Sequence, residues 1–482
     1  MGAGPAGISL CLQLCNAFEE LNIPIELILF EQNSNIGPGL PYSDQEKTFC
    51  LNLPHEHMKL LKEEPRHFSQ WLHDRQESSD FPPRYYFGHY IQERFATAEN
   101  NAKKVTITSL REHQVKAILP RARHQYQILA WYQSQEVSYK AHFVVLASGH
   151  LPATLFADYQ ALTNFQPNPW NLNAYNNLSS HSHVAIIGSH LSAIDVALKL
   201  SSQNHQGRIS MVSRNGLLSA VRSQQHKHQM QFLTSDNIRR ILNQKDPREL
   251  LPELIHLFSK EMGPYLPNPS LSETLTKLKK IAPLKRLNWE IRNAETNRLN
   301  WQLVLSSFYQ LLYRLWPKIP FACQSEFLEK HASLMFSFLC AFPLKSAYIL
   351  QAMMQRQQLS VHKGFIGIEP CSGQFLIHLK QQRPLICDYL ICATGSGTQA
   401  AAQPLLAEML KRKIIKEHPL GGICINPTNH QILTDKQEHP GFYALGDLVK
   451  GARFRIIELG QIVEQAALIS QHILKSFSPA TS

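Results

Sequence analysis

The feature that most constrains the fold is a glycine-rich run at the start of the chain. It reads Gly2-Ala3-Gly4-Pro5-Ala6-Gly7, which has the spacing G-x-G-x-x-G. The first Gly permits a tight turn, the second lets a pyrophosphate approach the backbone, and the third allows the following helix to pack closely. Glu31 ends the next apolar stretch, where a carboxylate accepts hydrogen bonds from ribose hydroxyls. The run and Glu31 together predict a dinucleotide site and disfavour a glycine-rich turn without a ligand.

The segment before this turn is short. A strand normally leads into a G-x-G-x-x-G turn, and only Met1 precedes Gly2. We therefore expect the native start to lie upstream of Met1.

Two later segments indicate that the dinucleotide is FAD. The first, Asp388-Tyr-Leu-Ile-Cys-Ala-Thr-Gly395, is an apolar strand ending in Ala-Thr-Gly. The second is a strand that starts at Gly441 and ends in Gly446-Asp447 before a helix from about Glu458 to Leu474. An Asp at that position can hold the ribityl hydroxyls of a flavin, and the N-terminus of the helix stabilises an anionic reduced ring.

These motifs resemble those of the bacterial FAD/NAD(P)-binding protein family, which is related to flavin-containing and N-hydroxylating monooxygenases. Further blocks similar to that family are Cys50-Leu51-Asn52-Leu53-Pro54, Phe81-Pro82-Pro83-Arg84 and Val144-Val145-Leu146-Ala147-Ser148-Gly149-His150. The resemblance covers about residues 1–220 and 345–482. It implies that Asn52 and Gly149 contact the flavin cofactor, while an Asn that satisfies loop backbone groups is the alternative for Asn52.

A second glycine turn follows the apolar strand Val184–Ile187. It reads Gly188-Ser189-His190-Leu191-Ser192-Ala193 and is similar to the run that binds NADPH in flavin monooxygenases. His190 stands where the middle Gly is expected. Its side chain either crowds the path of the pyrophosphate or donates a hydrogen bond to it, and a fold kept only as scaffold is the further alternative.

The strand after this turn ends in Ser213-Arg214 instead of a carboxylate. A guanidinium binds a phosphate in a bidentate manner, whereas an Asp or Glu would bind the free ribose of NAD. Arg214 therefore indicates NADP, and the predicted nicotinamide site comprises Gly188, Ser189, His190, Leu191, Ser192 and Arg214.

The order of strand and helix signals predicts an α/β fold with two Rossmann-like domains and a helical insertion. The insertion is helical because apolar residues recur with a period of 3.6 in this region, as between Trp301 and Leu315, and strand signals are few. The proline-rich joints Pro264–Pro269 and Pro317–Pro320 are expected to end helices. The expected boundaries are an FAD domain at 1–165 and 380–482, a nicotinamide domain at 166–221 and 345–379, and the insertion at 222–344.

The charge of the chain is uneven. The net charge is +11, and residues 221–320 alone carry 16 Lys and Arg against 8 Asp and Glu, a difference of +8. A solvated helical surface explains this excess, and an anionic substrate or an acidic partner surface is the alternative. No RNA-type aromatic signature or helix-turn-helix spacing accompanies it, so we do not expect nucleic acid binding.

Other chemistries find little support in the sequence. None of the nine cysteines forms a C-x-x-C pair, which argues against a disulfide-relaying flavoenzyme. The pairs His181/His183 and His226/His228 have H-x-H spacing without further ligands, so surface histidines are favoured over a metal site. There is no G-x-S-x-G elbow, and no apolar run approaches the ~20 residues of a membrane span. A cytoplasmic location is the default expectation.

The leading hypothesis is a flavin monooxygenase that uses FAD and NADP and acts on a small metabolite. The second hypothesis is an NAD(P)H-dependent reductase of a quinone, metal or protein acceptor. The third is a non-catalytic flavin-binding protein, which His190 favours. The sequence identifies neither the catalytic residues, the substrate nor the oligomeric state.

Overall fold

A computed structural model describes residues 1–43, 48–122, 125–223, 229–243, 246–265, 271–434, 437–455 and 458–477. The chain divides into two compact units. Residues Met1–Thr154 and Ser396–Ser482 form unit 1, and Leu155–Gly395 form unit 2. No helix in these described ranges is long and apolar enough to cross a membrane.

Unit 1 is a mixed α/β unit. Its strands are Ile25–Phe30, Val105–Leu110, Gln114–Arg121, Gln125–Tyr132, Gln135–Ala141, Val144–Leu146, Gln431–Leu433 and Glu438–Ala444. Its α-helices are Pro5–Glu20, Gly39–Tyr42, His67–His73, Arg84–Asn101, Pro404–Lys411 and Leu459–Lys475.

The parallel strands of unit 1 meet at the start of the chain. Ile25–Phe30 pairs in parallel with Val105–Leu110, and Val144–Leu146 pairs in parallel with Glu438–Ala444. Met1 lies between the two pairs, because its amino group donates to the carbonyl of Val145 at 2.8 Å while the N–H of Gly2 donates to that of Phe30 at 2.9 Å. Both pairs therefore end at the same edge, where the first glycine turn lies.

The helix Pro5–Glu20 follows directly from that turn. Gly4 is its N-cap and Pro5 occupies the first helical position, where the missing N–H of proline has no intrahelical partner to lose. One stripe of the helix, including Leu10, Leu14 and Phe18, is buried in a core shared with the helix Leu459–Lys475. Burial of this stripe fixes the helix, and with it the turn, against the sheet.

Unit 2 contains a parallel sheet and most of the predicted helical insertion. Its strands are Phe165–Gln166, Val184–Ile187, Ile209–Ser213, Leu359–Lys363, Phe365–Cys371, Gln374–Leu379, Leu385–Cys387 and Tyr389–Cys392. Its α-helices are Leu191–Ser202, Ser235–Leu242, Leu250–Met262, Leu271–Leu278, Pro283–Glu295, Trp301–Leu315, Phe321–Phe327, Ser333–Leu339 and Leu344–Gln355.

The parallel sheet of unit 2 has the strand order expected of a dinucleotide fold. The order is Leu359–Lys363, Ile209–Ser213, Val184–Ile187, Tyr389–Cys392 and Phe165–Gln166, and all four pairings are parallel. Val184–Ile187, which leads into Gly188, is the central strand and is buried along its whole length. The predicted fold class, two Rossmann-like sheets with a helical insertion, is confirmed.

One segment lies elsewhere than the sequence suggested. The strand Tyr389–Cys392, which we assigned to the FAD domain, pairs with Val184–Ile187 and belongs to unit 2. The boundaries between the two units lie at 154/155 and 395/396, whereas we expected domain boundaries at 165 and 380. The reason is that an apolar strand ending in Ala-Thr-Gly fits either sheet, and only pairing decides between them.

At the joint Pro317–Pro320 of the helical insertion, the helices end and begin as the prolines predicted. The helix Trp301–Leu315 ends before Pro317, and the next α-helix begins at Phe321, directly after Pro320. Of the other joint, residues 266–269 lie outside the described part of the chain.

Candidate functional site

The first glycine turn requires glycine at two positions for steric reasons. Gly2 has φ +93°, and a Cβ there would lie 2.3 Å from the carbonyl oxygen of Ala147. A Cβ on Gly7 would lie 2.0 Å from the carbonyl oxygen of Gly2. Both distances are far below van der Waals contact, so the turn can pack against the neighbouring strand and its own helix only without side chains.

Gly4 differs from the other two glycines because its surroundings are open. It has extended backbone with φ −77° and ψ −172°, and among the described residues a Cβ there would meet only the Cα of Gly39, at an ordinary 3.7 Å. The first N–H groups of the helix Pro5–Glu20, from Ala6 and Gly7, lie beside this open position. Free N–H groups and the positive end of the helix dipole make such a position suitable for a pyrophosphate.

Glu31 lies at the strand end where the sequence predicted a ribose ligand. Its Oε2 accepts the N–H of Ala3 at 3.0 Å, and its Oε1 accepts the backbone N–H of Asn33 at 3.1 Å. These two bonds fix the carboxylate against the glycine turn. Oε1 also accepts an N–H of the Asn33 side chain at 2.9 Å, and since each carboxylate oxygen accepts two hydrogen bonds, Oε2 is the oxygen that keeps a lone pair for a ribose hydroxyl.

Gly446 is brought next to the first glycine turn although it lies far away in the sequence. It has φ +76°, and a Cβ there would have the Cβ of Ala6 as its neighbour, at 3.9 Å. Its N–H donates to Oε1 of Gln465 in the helix Leu459–Lys475 at 2.8 Å. The Gly446-Asp447 segment and the Gly2–Gly7 turn therefore line one surface of unit 1.

Asp447 is already engaged within the protein. Its side chain is 9% exposed, and its Oδ2 lies 2.7 Å from Nζ of Lys450 and 3.5 Å from Nδ1 of His150. Burial raises the pKa of Asp447, but the His150 hydrogen bond and the positive charge of Lys450 outweigh it and leave the pKa below its ordinary value. The carboxylate is thus a fixed, ionised acceptor. Its role towards a ribityl chain stays a prediction.

The sequence analysis missed Lys450, which completes this cluster. Its side chain is buried, and the three protons of its ammonium group go to Asp447, to Oγ of Ser396 at 2.6 Å and to the carbonyl of Gly397 at 2.7 Å. Burial lowers the pKa of Lys450 below its ordinary value, although the Asp447 carboxylate acts in the opposite direction. The only signal in the sequence is the i, i+3 spacing of Asp447 and Lys450.

The other two residues predicted to contact the flavin lie in unit 1 as well. Gly149 has φ +78°, and a Cβ there would meet no heavy atom of the described residues within 4 Å. Asn52 is half-buried in a loop that Arg84 holds, because Nε of Arg84 donates to the carbonyl of Cys50 at 2.9 Å. The open position at Gly149 has the room that a cofactor needs, and both assignments stay predictions.

The second glycine turn repeats the backbone geometry of the first. Gly188 has φ +130°, and a Cβ there would lie 2.4 Å from the carbonyl oxygen of Ala393. Its N–H donates to the carbonyl of Val212 at 2.8 Å. His190 is the N-cap of the helix Leu191–Ser202 with φ −97° and ψ −164°, the same extended conformation that Gly4 adopts.

The serines of the second turn are used inside the protein. Ser189 is 4% exposed, and its hydroxyl donates to the carbonyl of Leu217 at 2.6 Å. Ser213 lies 2.9 Å from Ser189 Oγ and accepts the N–H of Gly216 at 2.9 Å. The hydroxyls of Ser189 and Ser213 therefore tie the turn to the loop after the next strand. Leu191 and Ser192 start the helix and are half-buried.

Arg214 lies at the end of the strand next to the second glycine turn, as predicted. Its carbonyl accepts the N–H of Gly364 at 3.1 Å, which fixes its backbone. Its side chain is exposed and forms no ion pair with any carboxylate in the described ranges. The guanidinium is therefore available to a ligand at this edge of the sheet.

Of the two histidine pairs, His183 alone among the described members departs from the expected surface position. His181 is exposed, but His183 is half-buried, and its Nε2 lies 2.8 Å from Oγ of Ser210. Burial lowers the pKa of His183. His226 and His228 lie outside the described residues. Within the described part, no three His, Cys, Asp or Glu side chains form a group that could hold a metal ion.

The geometry of unit 1 agrees with a sequence comparison. Residues 1–151 match a family described as FAD-NAD(P)-binding. The matched segment contains Gly2, Gly4, Gly7 and Glu31, so the predicted resemblance and the predicted cofactor class are confirmed.

Comparison with curated proteins gives a partial match. The chain is 26% identical over 223 residues to the uncharacterized protein YdhS of Escherichia coli strain K12. The aligned segment covers 42% of this chain and 39% of that protein, so it spans well under half of the relative.

Solved structures match over almost the whole chain. The ornithine hydroxylase PvdA of Pseudomonas aeruginosa has a TM-score of 0.61 at 14% identity, with 99% of this chain and 98% of that chain covered. A complex of the ornithine N-hydroxylase KtzI of Kutzneria sp. 744 with reduced FAD, NADP⁺ and L-ornithine has a TM-score of 0.58 at 13% identity, with 99% and 98% covered. The bacillithiol disulfide reductase Bdr of Staphylococcus aureus has a TM-score of 0.50 at 12% identity, with 99% and 97% covered. At these identities the likeness establishes the fold.

Proposed function

We propose that the protein is an FAD-dependent oxidoreductase that NADPH reduces and that hydroxylates a small metabolite. The observation that carries the proposal is the contrast between two strand ends. The strand beside the first glycine turn ends in the carboxylate of Glu31, and the strand beside the second ends in the guanidinium of Arg214. A carboxylate suits free ribose hydroxyls and a guanidinium suits a 2′-phosphate.

In unit 1, the residues described above would hold FAD. The N–H groups at the start of the helix Pro5–Glu20 would bind the pyrophosphate at the open side of Gly4, and Glu31 would accept from the ribose hydroxyls. A Cβ on Gly149 would meet no described heavy atom within 4 Å, and one on Gly446 would meet only Ala6 Cβ at 3.9 Å among the described residues, so the backbone at both positions is open to a close approach by the cofactor. When bound, FAD takes two electrons from NADPH and supplies them to O₂.

The proposed reaction is a monooxygenation. Substrate, O₂, NADPH and a proton give the hydroxylated substrate, water and NADP⁺. The fold supports this reading, because structures of two ornithine hydroxylases match 99% of the chain. The basic excess of residues 221–320 supports a small substrate with a negatively charged group.

A reductase of a quinone, metal or protein acceptor is the second candidate, which the likeness to a disulfide reductase favours. A dithiol relay is the least suited form of it. All nine cysteines lie in the described residues, and none of them forms a disulfide bond. Burial raises the pKa of the Cys11 and Cys15 thiols and raises that of Cys387 to about 12, so these thiols stay protonated and unreactive.

Rapid mixing separates the two candidates. Protein reduced anaerobically with NADPH is mixed with O₂, with and without L-ornithine or small dicarboxylates, and products are analysed by mass spectrometry. A monooxygenase shows a transient absorbance band on the short-wavelength side of oxidised flavin and a product that is one oxygen heavier. Direct reoxidation without that band, together with rapid electron transfer to an added quinone, would establish the reductase.

A further inference from the structure

Two helices of unit 2, Pro283–Glu295 and Leu344–Gln355, lie side by side over one core. Their inward residues belong to the same buried cluster: Leu287, Ile291, Ala294, Ala347, Leu350 and Met353. Nε2 of Gln351 donates to Oδ1 of Asn288 at 2.8 Å and joins the two helices. Because both helices bury one side in a common core, their exposed sides form one continuous surface, which we call the helix-pair surface.

Large apolar side chains project from the helix-pair surface. Trp289 is 43% exposed, Tyr348 is 42% exposed and Ile349 is 38% exposed. Ile281, two residues before the first helix, is 38% exposed. These are four of the twelve large apolar side chains that are exposed among the described residues. Single exposed apolar residues are ordinary, whereas a cluster of them marks an interaction site.

Exposed cations flank these apolar side chains. Lys285 and Arg292 precede and follow Trp289 by four and three residues, so all three lie on one side of the helix. On the second helix, Lys345 lies one turn before Ile349. None of these three cations forms an ion pair with a carboxylate in the part of the chain that the structure describes. The apolar cluster is therefore bordered by uncompensated positive charge.

The carboxylates of the two helices leave most of this charge in place. Glu290 is buried and pairs with Nε of the buried Arg286 at 2.7 Å, so these two charges neutralise each other inside the protein. Glu295 is exposed and accepts the hydroxyl of Tyr348. Within 277–295 and 344–355, this one exposed carboxylate stands against six exposed cations: Lys277, Lys279, Lys280, Lys285, Arg292 and Lys345.

We propose that the helix-pair surface docks the protein on membranes that contain anionic phospholipids. Lysines there attract phosphate headgroups and lay their apolar stems along the lipid boundary, while Trp and Tyr suit the level of the headgroups. A protein partner fits this surface less well, because interfaces between proteins are depleted in Lys and enriched in Arg, and five of the six cations are Lys. The helices lie in the plane of the interface without crossing the bilayer. The proposal does not depend on the cofactors proposed above.

Flotation of the full chain with lipid vesicles tests the proposal. We expect binding to vesicles of phosphatidylcholine and phosphatidylglycerol in equal parts, weakened by added salt, and no binding to phosphatidylcholine alone. Lys285→Gln and Arg292→Gln should each lower the affinity about fivefold, and Trp289→Ala about tenfold. Trp131→Ala is the matched control and should bind like the wild type, because Trp131 is 42% exposed on a strand of unit 1.

Tryptophan fluorescence provides a second readout on the same samples. Mixed vesicles should shift the emission of wild-type protein and of Trp131→Ala to shorter wavelength, and should leave that of Trp289→Ala unshifted. The two cation variants keep the test decisive if Trp289→Ala fails to fold, since both side chains lie outside the core.

Several results would overturn the proposal. They are no binding to the mixed vesicles, equal binding to phosphatidylcholine alone, full binding by both cation variants, and an equal loss in Trp289→Ala and Trp131→Ala. Binding of soluble polyglutamate without binding of vesicles would overturn it as well, and would identify an acidic protein as the partner.

Discussion

The two glycine turns of this chain have the same backbone and opposite side-chain chemistry. Gly2 and Gly188 each donate an N–H to the next strand, at Phe30 and Val212, and each excludes a Cβ because a carbonyl oxygen lies 2.3 or 2.4 Å away. One residue further along, Ala3 meets the carboxylate of Glu31, whereas Ser189 meets the hydroxyl of Ser213. We propose that the shared geometry forms a phosphate-binding turn in each unit and that the differing partners select the ligand.

The turns also differ in how much room they leave. Gly4 and Gly7 in the first turn correspond to His190 and Ala193 in the second, counted from Gly2 and Gly188. The first turn is thus open to a closely approaching ligand at Gly4 and packed tightly at Gly7. The first turn therefore leaves open space at Gly4, whereas the second accommodates side chains at both positions.

Substitution at the third glycine position of the turns should cause the largest change in the free energy of unfolding. Gly7→Ala places a Cβ 2.0 Å from the carbonyl oxygen of Gly2, so the helix must move away from the turn. We expect a loss of about 3 kcal/mol in the free energy of unfolding, measured with urea. The reciprocal change, Ala193→Gly, should cost only about 1 kcal/mol through helix propensity. Similar small losses in both variants would contradict the difference in packing.

A smaller effect, specific to the cofactor, is expected at the second position. Gly4→Ala adds a Cβ that the protein accommodates, at 3.7 Å from Gly39, but that stands in the path of a pyrophosphate. FAD affinity, measured by flavin fluorescence, should fall about a hundredfold, which corresponds to about 2.7 kcal/mol of binding free energy. The free energy of unfolding measured with urea should stay unchanged. His190→Ala in the other turn is the control and should leave FAD affinity intact. Retention of full FAD affinity by Gly4→Ala would remove the first turn from the FAD site.

The strand ends should differ in their cofactor preference. Arg214→Ala removes a charge-assisted contact worth roughly 1.5–3 kcal/mol, so the KM for NADPH should rise about ten- to a hundredfold and that for NADH should stay nearly constant. Glu31→Gln should leave both KM values unchanged and weaken FAD instead. Steady-state kinetics with saturating FAD provides these values. If Arg214→Ala raised the KM for NADPH and the KM for NADH by the same factor, the guanidinium would not bind the 2′-phosphate.

The smallest expected effect is the change in NADPH affinity on substitution of His190. The backbone there already has the conformation of Gly4, so removal of the side chain alone should clear the path of the pyrophosphate. We expect His190→Gly to bind NADPH about two- to fivefold more tightly, a shift of 0.5–1 kcal/mol. Weaker binding by His190→Gly would identify the imidazole as a hydrogen-bond donor to the phosphate.

The parts of the fold that follow local steric rules could be predicted from the sequence. Gly2 and Gly188 adopt backbone angles that favour glycine, and Glu31 ends the strand that follows the first helix, so both turns and their strands are readable from short segments. The fold class followed from the same alternation of strand and helix.

Features that depend on pairing between distant segments could not be predicted. The strand Tyr389–Cys392 has the same local pattern in either sheet, and its place was decided by register with Val184–Ile187. Lys450 joins Asp447 because the folded chain brings both side chains against Ser396. No local pattern carries that information, since it arises from packing.

The assignment of the two turns is tested most directly by the visible absorption spectrum of purified protein supplied with FAD, recorded without oxygen before and after a nucleotide is added. We expect the spectrum of bound oxidised flavin, which NADPH bleaches rapidly and NADH bleaches much more slowly. Protein that binds no flavin, or bound flavin that neither nucleotide bleaches, would contradict the claim that one glycine turn holds FAD and the other holds NADPH.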